Sequence, residues 1–312
     1  GEPRKQGYDY FFGYLDQQHA HDYYPSYLWR NEEKIELGKK VYSHTLFEKE
    51  TLDFIESSKG GPFFMYLPFT LPHANNELGR ATGNGMQVPT DAPYSSEPWS
   101  PQQRNYAAMV TMLDATVGKI RDTLKKLGLE DDTIIIFTSD NGPQSVVEGG
   151  YDQTLFQSNG GLRGLKRSLY EGGIREPLIF YWKGKIKPNR SSDAVWAQYD
   201  FLPTFAEIAG AKLTEKTDGI SMVPLLFGKK HRKHDFLYFE FYEGGFIQAV
   251  RMGDWKGFRR GLEGKLELYN LKKDPRESDN IASKNPKTVA KIEAIMAREH
   301  VPSDNWAADD GD

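Results

Sequence analysis

The chain has 312 residues, no cysteine and a net charge of −4 at neutral pH, a length that suits one large or two medium domains. With 38% apolar and 27% charged residues it reads as a folded globular chain, and its mild charge implies no field for nucleic acid or a membrane surface. No apolar run approaches the ~20 residues of a membrane span, and without cysteine these residues form no disulfide, zinc–thiolate centre or thiol nucleophile.

Taken in order, the first residues, Gly1-Glu2-Pro3-Arg4-Lys5-Gln6-Gly7, lack the apolar core of a signal peptide. Residues 7–30 are irregular and rich in aromatic rings, with His19 and His21 two positions apart. On an extended segment those imidazoles would point the same way. They suit the wall of a substrate pocket, or a loop tied down by its own rings; no third nitrogen ligand accompanies them to make a metal site. Residues 43–57 read as a helix, broken by Gly60-Gly61-Pro62. Residues 63–69 then read as a short buried strand that Pro68 brings to its end. His73 follows directly, at the C-terminal edge of that strand, where functional residues concentrate.

Residues 79–99 form a polar loop rich in Gly and Pro. Ser100, Pro101 and Gln103 supply an N-cap, a first helical residue and a capping box. Tyr106, Met109, Val110, Leu113, Val117, Ile120, Leu124 and Leu127 repeat at helical spacing until Gly128. Asp114 falls on this stripe and is expected to be buried and hydrogen-bonded. Residues 133–138 are a β-branched run that stops at Ser139-Asp140-Asn141-Gly142. Strand, helix and strand in that order predict a right-handed βαβ unit with parallel strands. His73 and Asp140 would then share one edge of the sheet, where open α/β sheets place ligands. Asp140 and Asn141 offer oxygen, the preference of Ca²⁺ and Mg²⁺, although Asp-Asn-Gly is also ordinary turn chemistry.

Residues 143–161 form an aperiodic loop; it and the 79–99 loop are expected to set specificity. In Leu162-Arg163-Gly164-Leu165-Lys166 and the following residues to Pro177, one lysine sits among glycines and arginines, a composition suited to an oxyanion. Residues 177–182 predict a third strand and 200–209 a helix. Beyond residue 232, short runs at 236–241, 246–252, 255–258 and 266–271 read as an antiparallel meander, closed by a helix over 286–300. The expected architecture is α/β: a mixed sheet sandwiched by helices over residues 1–231, with a small C-terminal α+β subdomain, antiparallel sheet plus helix, over 232–312.

His73, Asp140, Asn141, Arg163, Lys166 and Arg175 together suit a tetrahedral oxyanion ester. A hard cation and a lysine would neutralise the non-bridging oxygens, and a histidine would serve the leaving oxygen. No nucleophile accompanies them: there is no Gly-x-Ser-x-Gly elbow, and Gly160-Gly161-Leu162-Arg163-Gly164 lacks the Lys-Ser/Thr ending of a nucleotide loop. Asp140 and Asn141 alone are also too few for Ca²⁺, which takes six to eight oxygens.

Four motifs carry a family resemblance. Leu162-Arg163-Gly164-Leu165-Lys166 with Tyr170-Glu171-Gly172-Gly173-Ile174-Arg175-Glu176-Pro177 resembles the lysine motif of the formylglycine-dependent sulfatases, members of the alkaline phosphatase-like superfamily. Thr138-Ser139-Asp140-Asn141-Gly142 resembles their metal motif, Leu67-Pro68-Phe69-Thr70-Leu71-Pro72-His73 their histidine motif, and Leu268-Tyr269-Asn270-Leu271-Lys272-Lys273-Asp274-Pro275 their C-terminal signature. The resemblance implies a sulfuric ester hydrolase acting on a sulfated carbohydrate or aryl sulfate. Asp140 and Asn141 would bind Ca²⁺ (or Mg²⁺), and His73 and Lys166 would be catalytic. His21, His19 and Arg163 would contact substrate, and the location would be periplasmic or secreted.

The family's paired aspartates, its Cys/Ser-x-Pro-x-Arg motif that yields formylglycine, and its Gly-Lys-Trp segment are not in this sequence. The resemblance therefore implies that roughly 100 or more residues of a family domain lie upstream, in a segment of the same gene product, and that this polypeptide alone is inactive. A phosphodiesterase or phosphonate hydrolase of the same superfamily and a non-catalytic glycan-binding remnant are the competing expectations.

Overall fold

The structure, a computed structural model, describes residues 2–145 and 149–306. The chain divides into two compact units, Gly1–Thr133 with Gln144–Phe156, and Ile134–Pro143 with Gln157–Asp312.

In the first unit, β1 (Phe12–Gly13), β2 (Tyr27–Arg30) and β3 (Glu33–Glu36) form an antiparallel sheet in that order. Asn31 turns the β2–β3 hairpin at φ 53, a left-handed conformation its short polar side chain tolerates. The sequence reading took this region as irregular, because strands this short carry little alternation. Helices α1 (Ser43–Ser57), α2 (Asn76–Thr82) and α3 (Pro101–Lys126) follow, with the short α4 (Gln153–Phe156) at the end of the unit. The Ser100–Gln103 capping box is formed as expected. Tyr23, Tyr42, Leu71, Ala74, Met86, Met109 and Tyr151 make the core.

Three expectations fail here. Residues 63–69 run extended but pair with no strand among the described residues. Phe64 and Tyr66 are 62% and 66% exposed, so the segment alternates between covered and bare positions without a ladder. The βαβ unit is therefore absent from the described residues. Asp114 is exposed, not buried. The buried face of α3 centres on Ala108, Met109, Thr116 and Leu124, and Asp114 lies about 140° around the helix from Met109.

The second unit contains β4 (Ile135–Thr138) and β5 (Leu178–Tyr181), paired antiparallel with Ile135 opposite Tyr181. The expected parallel, buried strand at 133–138 is thus half-buried, with an antiparallel neighbour. After β4 come α5 (Glu171–Ile174), α6 (Phe201–Ala209) and α7 (Val223–Leu226). The meander is as expected: β6 (Leu237–Phe241), β7 (Ile247–Met252), β8 (Trp255–Arg260) and β9 (Glu267–Asn270), all antiparallel in sequence order.

Alternation along these strands gives the meander two apolar faces. Ile247, Ala249, Phe258 and Tyr269 pack with Leu169 and Tyr170 from the lysine motif. Val250 and Leu268 pack under Ile292, Ile295 and Met296 of α8 (Pro286–Glu299). The helix sits so close that a Cβ on Gly257 would lie 2.5 Å from Ile292 Cγ2.

His44 gives the first unit a pH-dependent term. Its imidazole is buried, with Nε2 2.9 Å from Thr116 Oγ1, and burial lowers its pKa from 6.5 to about 4. A depressed imidazole stabilises the fold fully above its unfolded pKa, and this contribution fades as pH falls toward the folded value. Urea unfolding between pH 7 and 4 should show a stability loss on the order of 2–3 kcal/mol that His44→Gln largely removes. An unchanged pH slope in the variant would contradict this.

Candidate functional site

Each unit holds part of the predicted constellation. In the first, the Thr70–His73 turn is closed by His73 N donating to Thr70 O at 2.8 Å. The buried Tyr23 hydroxyl reaches Thr70 O at 3.0 Å and His73 O at 2.6 Å. The backbone that presents the imidazole is thus fixed by a core residue. His73 Nδ1 lies 2.7 Å from Ala74 O, a contact that places a proton on Nδ1 and reserves Nε2 for other partners.

His21 stacks on His73, with ring centroids 5.0 Å apart and planes 7° from parallel. Its Nδ1 lies 2.9 Å from Glu77 Oε2. Glu77 comes from the first turn of α2, whose N-cap Asn75 accepts from Leu78 N. Burial works against the Glu77 carboxylate, but a backbone hydrogen bond and His21 outweigh it and lower its pKa.

His19 and His21 lie in one 3₁₀ turn, His19–His21, so they diverge instead of pointing the same way as they would on an extended segment. The His19 ring packs against Tyr14 and Tyr27, with centroids 5.1 and 4.4 Å away. Both of its nitrogens are buried with no hydrogen-bond partner among the described residues, and burial lowers its pKa. His19, Tyr24, Tyr27, Lys39, Glu77 and Gln87 line an open cleft of about 880 Å³. Glu77 thus connects this cleft to the imidazole pair.

In the second unit, Asp140 and Asn141 follow directly on β4. Gly142 N donates to Gly173 O at 3.1 Å, and Lys166 N donates to Pro143 O at 2.9 Å. A Cβ on Gly142 would lie 2.0 Å from Gly172 O. The loop of Asp140 and Asn141 is therefore pressed backbone to backbone against the turn that carries Lys166. Asn141 Nδ2 donates to Gly142 O at 3.0 Å, which commits the amide nitrogen and leaves its oxygen as the group able to meet a cation. Gln198 Nε2 anchors the same loop through Ser139 O at 3.0 Å.

Arg163 is placed differently. Its guanidinium lies 3.7 Å from the centre of the Tyr170 ring, and Nη1 donates to Tyr269 Oη and Glu277 O, each at 2.9 Å. It clamps the lysine turn to the meander. Arg175 is more loosely held, 3.9 Å from Glu171.

Glu176 was missed in the sequence, where it reads only as the residue before a strand. Its Oε1 is buried with no hydrogen-bond partner among the described residues. Burial, and then the negative charge of Asp140, raise its pKa to about 7. An orphaned carboxyl oxygen in the field of a second carboxylate, with the amide of Asn141 next in sequence to that carboxylate, offers the oxygen donors that a hard cation takes. Among the described residues no group of three or more His, Asp or Glu is assembled for a metal, so this candidate centre rests on two carboxylates and an amide.

Comparison with known proteins supplies the family of this chain. A family model described as Sulfatase matches residues 1–211, and one described as N-sulphoglucosamine sulphohydrolase, C-terminal, matches residues 164–301. The chain belongs to the sulfatase family. It is 28% identical to the uncharacterized sulfatase YdeN of Escherichia coli, over 97% of this chain and 57% of that protein. It is likewise 28% identical to an N-acetylgalactosamine-6-O-sulfatase of Bacteroides thetaiotaomicron, over 87% of this chain and 54% of that protein.

Among solved structures, Ps i-CgsB in complex with k-i-k-neocarrahexaose superposes with a TM-score of 0.79 at 25% identity, covering 95% of this chain and 67% of that one. That likeness supports the expected alkaline phosphatase-like fold. The chain spans about half the length of the curated relatives it matches.

The Gly142 contact leaves no room for a side chain. Gly142→Ala should force the Asp140 loop off the Glu171–Gly173 turn, at a cost of about 1–3 kcal/mol. Thermal unfolding should fall accordingly, whereas Gly253→Ala, at a position with nothing within 4 Å of the new Cβ but with φ +59, reports the cost of backbone strain alone. Equal losses in the two variants would show that the contact is not tight.

Proposed function

We propose that this chain carries the anion-contacting and cation-holding residues of an enzyme that hydrolyses sulfate monoesters on a carbohydrate. One observation supports this most: the Asp140–Asn141 loop and the Lys166 turn are joined through Gly142–Gly173 and Lys166–Pro143, which keeps oxygen ligands and an amine in fixed register. The sulfated-carbohydrate names among the relatives favour a glycan substrate.

In this reading the Lys166 ammonium neutralises the non-bridging oxygens of the sulfate. His73 would act as the acid in its imidazolium form: Nδ1 keeps its proton on Ala74 O, and Nε2 gives its proton to the ester oxygen as the S–O bond to it breaks and the upstream nucleophile bonds to sulfur, so the alcohol leaves neutral. The contact to Ala74 O keeps the ring oriented for that transfer. Glu77 orients His21 beside it, and His21 and His19 face the sugar. The part we assign to Arg163 is the clamp on the lysine turn. Asp140, Asn141 and Glu176 would hold Ca²⁺ (or Mg²⁺), which when bound supplies Lewis-acid neutralisation of the sulfate. The nucleophile is expected from a formylglycine in an upstream segment of the same gene product, and the setting is periplasmic or secreted, as in the family.

Calorimetric titration of this chain with a sulfated disaccharide and its desulfated counterpart, with and without Ca²⁺, tests the binding half. Only the sulfated sugar should bind, and Lys166→Ala should weaken it at least tenfold. Turnover of an aryl sulfate should require the upstream segment. Equal binding of both sugars, with no turnover in the longer protein, would favour a glycan-binding remnant. Faster cleavage of a phosphodiester would favour the phosphodiesterase reading.

A further inference from the structure

Lys256 on β8 is fully buried, 0% exposed, and so is Glu277. A lysine taken wholly out of water is costly unless it is paired. Lys256 Nζ meets Glu171 Oε1 at 3.0 Å and lies 3.4 Å from Glu277 Oε1, which it holds by charge without hydrogen-bond geometry. Glu171 Oε2 also takes Arg251 Nη1 at 3.3 Å. Arg175 Nη1 lies 3.9 Å from the same Glu171 oxygen, so two acidic side chains face one ammonium and two guanidiniums.

What this cluster holds is the turn that carries Lys166. Glu277 Oε2 accepts from Glu171 N at 2.7 Å, and Glu277 O accepts from Arg163 Nη1 at 2.9 Å. One residue therefore grips both ends of the 163–171 segment. Just beyond, Gly172 N donates to Arg163 O at 2.7 Å. A Cβ on Gly173 would lie 2.2 Å from Ser168 O and 2.5 Å from Leu165 O. The Lys166 turn is stacked on Glu171–Gly173, and among the described residues the Glu171 side chain meets Lys256, Arg251 and Arg175. Buried ion pairs contribute little to stability compared with apolar residues of equal volume, so stability alone does not account for placing three buried charges here.

We propose that Lys256, through Glu171 and Glu277, is a positioning residue that sets the place of Lys166 at the sulfate. This rests on the reading of Lys166 given above. Two measurements separate the inference from that reading.

The first is amide hydrogen exchange on the chain itself. Lys256→Met should speed exchange at Lys166, Gly172 and Gly173 at least tenfold while the β6–β7 amides keep their protection. A uniform rise across the meander, or no change in the turn, would overturn the proposal. The second is a double-mutant cycle on kcat/KM in the protein carrying its upstream segment. Lys256→Met should lower kcat/KM at least thirtyfold, but less than threefold further in the Lys166→Ala background. Equal factors in the two backgrounds would make the cluster merely structural and overturn the proposal. If Lys256→Met does not fold, Glu277→Gln is read in the same two ways. Full activity in Lys166→Ala would sink the reading of Lys166, and the exchange result would still decide whether the cluster holds the turn.

Discussion

Gly142 and Gly172 meet backbone to backbone with no space for a methyl group between them. Much of the second unit's site follows from that contact. It requires glycine at 142, while glycine at 172 is required by Gly164 O and Arg163 O on the turn beneath it, and together these contacts place the Lys166 turn against the loop of Asp140 and Asn141. A side chain at 142 would push the loop of Asp140 and Asn141 away from the Lys166 turn. Geometry demands the glycines of this motif, since each of Gly142, Gly172 and Gly173 faces a carbonyl oxygen closer than any Cβ could approach.

The histidines of the first unit are ordered by a different device. Their backbone is held by Tyr23, a core side chain whose hydroxyl bridges two carbonyls of the His73 turn. Their rings are ordered by each other and by Glu77. These contacts restrain the rotamers of both rings. The two units thus use one logic, a packed shell behind each polar group, with glycine contacts in one and an aromatic hydroxyl in the other.

Local signals in the sequence were legible where the structure depends on local chemistry. The Ser100–Gln103 box, the stripe of α3, the meander and its closing helix all rest on spacing that a single chain displays. The failures share a cause: they concern pairing. Residues 63–69 have strand composition, but composition does not supply a neighbour, and β4 has the content of a parallel strand with an antiparallel partner in place. The hairpin of β2 and β3 escaped notice because it is too short for alternation to show. Asp114 was misplaced because the apolar stripe of α3 is broader in sequence than the face that is actually buried. Glu176 and the Lys256 cluster could not be found at all, since their meaning lies in burial and in contacts between residues far apart in the chain, such as Lys256 and Glu171.

The packing of His19 has a consequence for recognition. An imidazole whose two nitrogens are both shut away from water is pushed toward its uncharged form. On that side the wall of the cleft is aromatic ring, with His19 packed against Tyr27, and its cation is Lys39, so contour and charge at this wall come from different side chains.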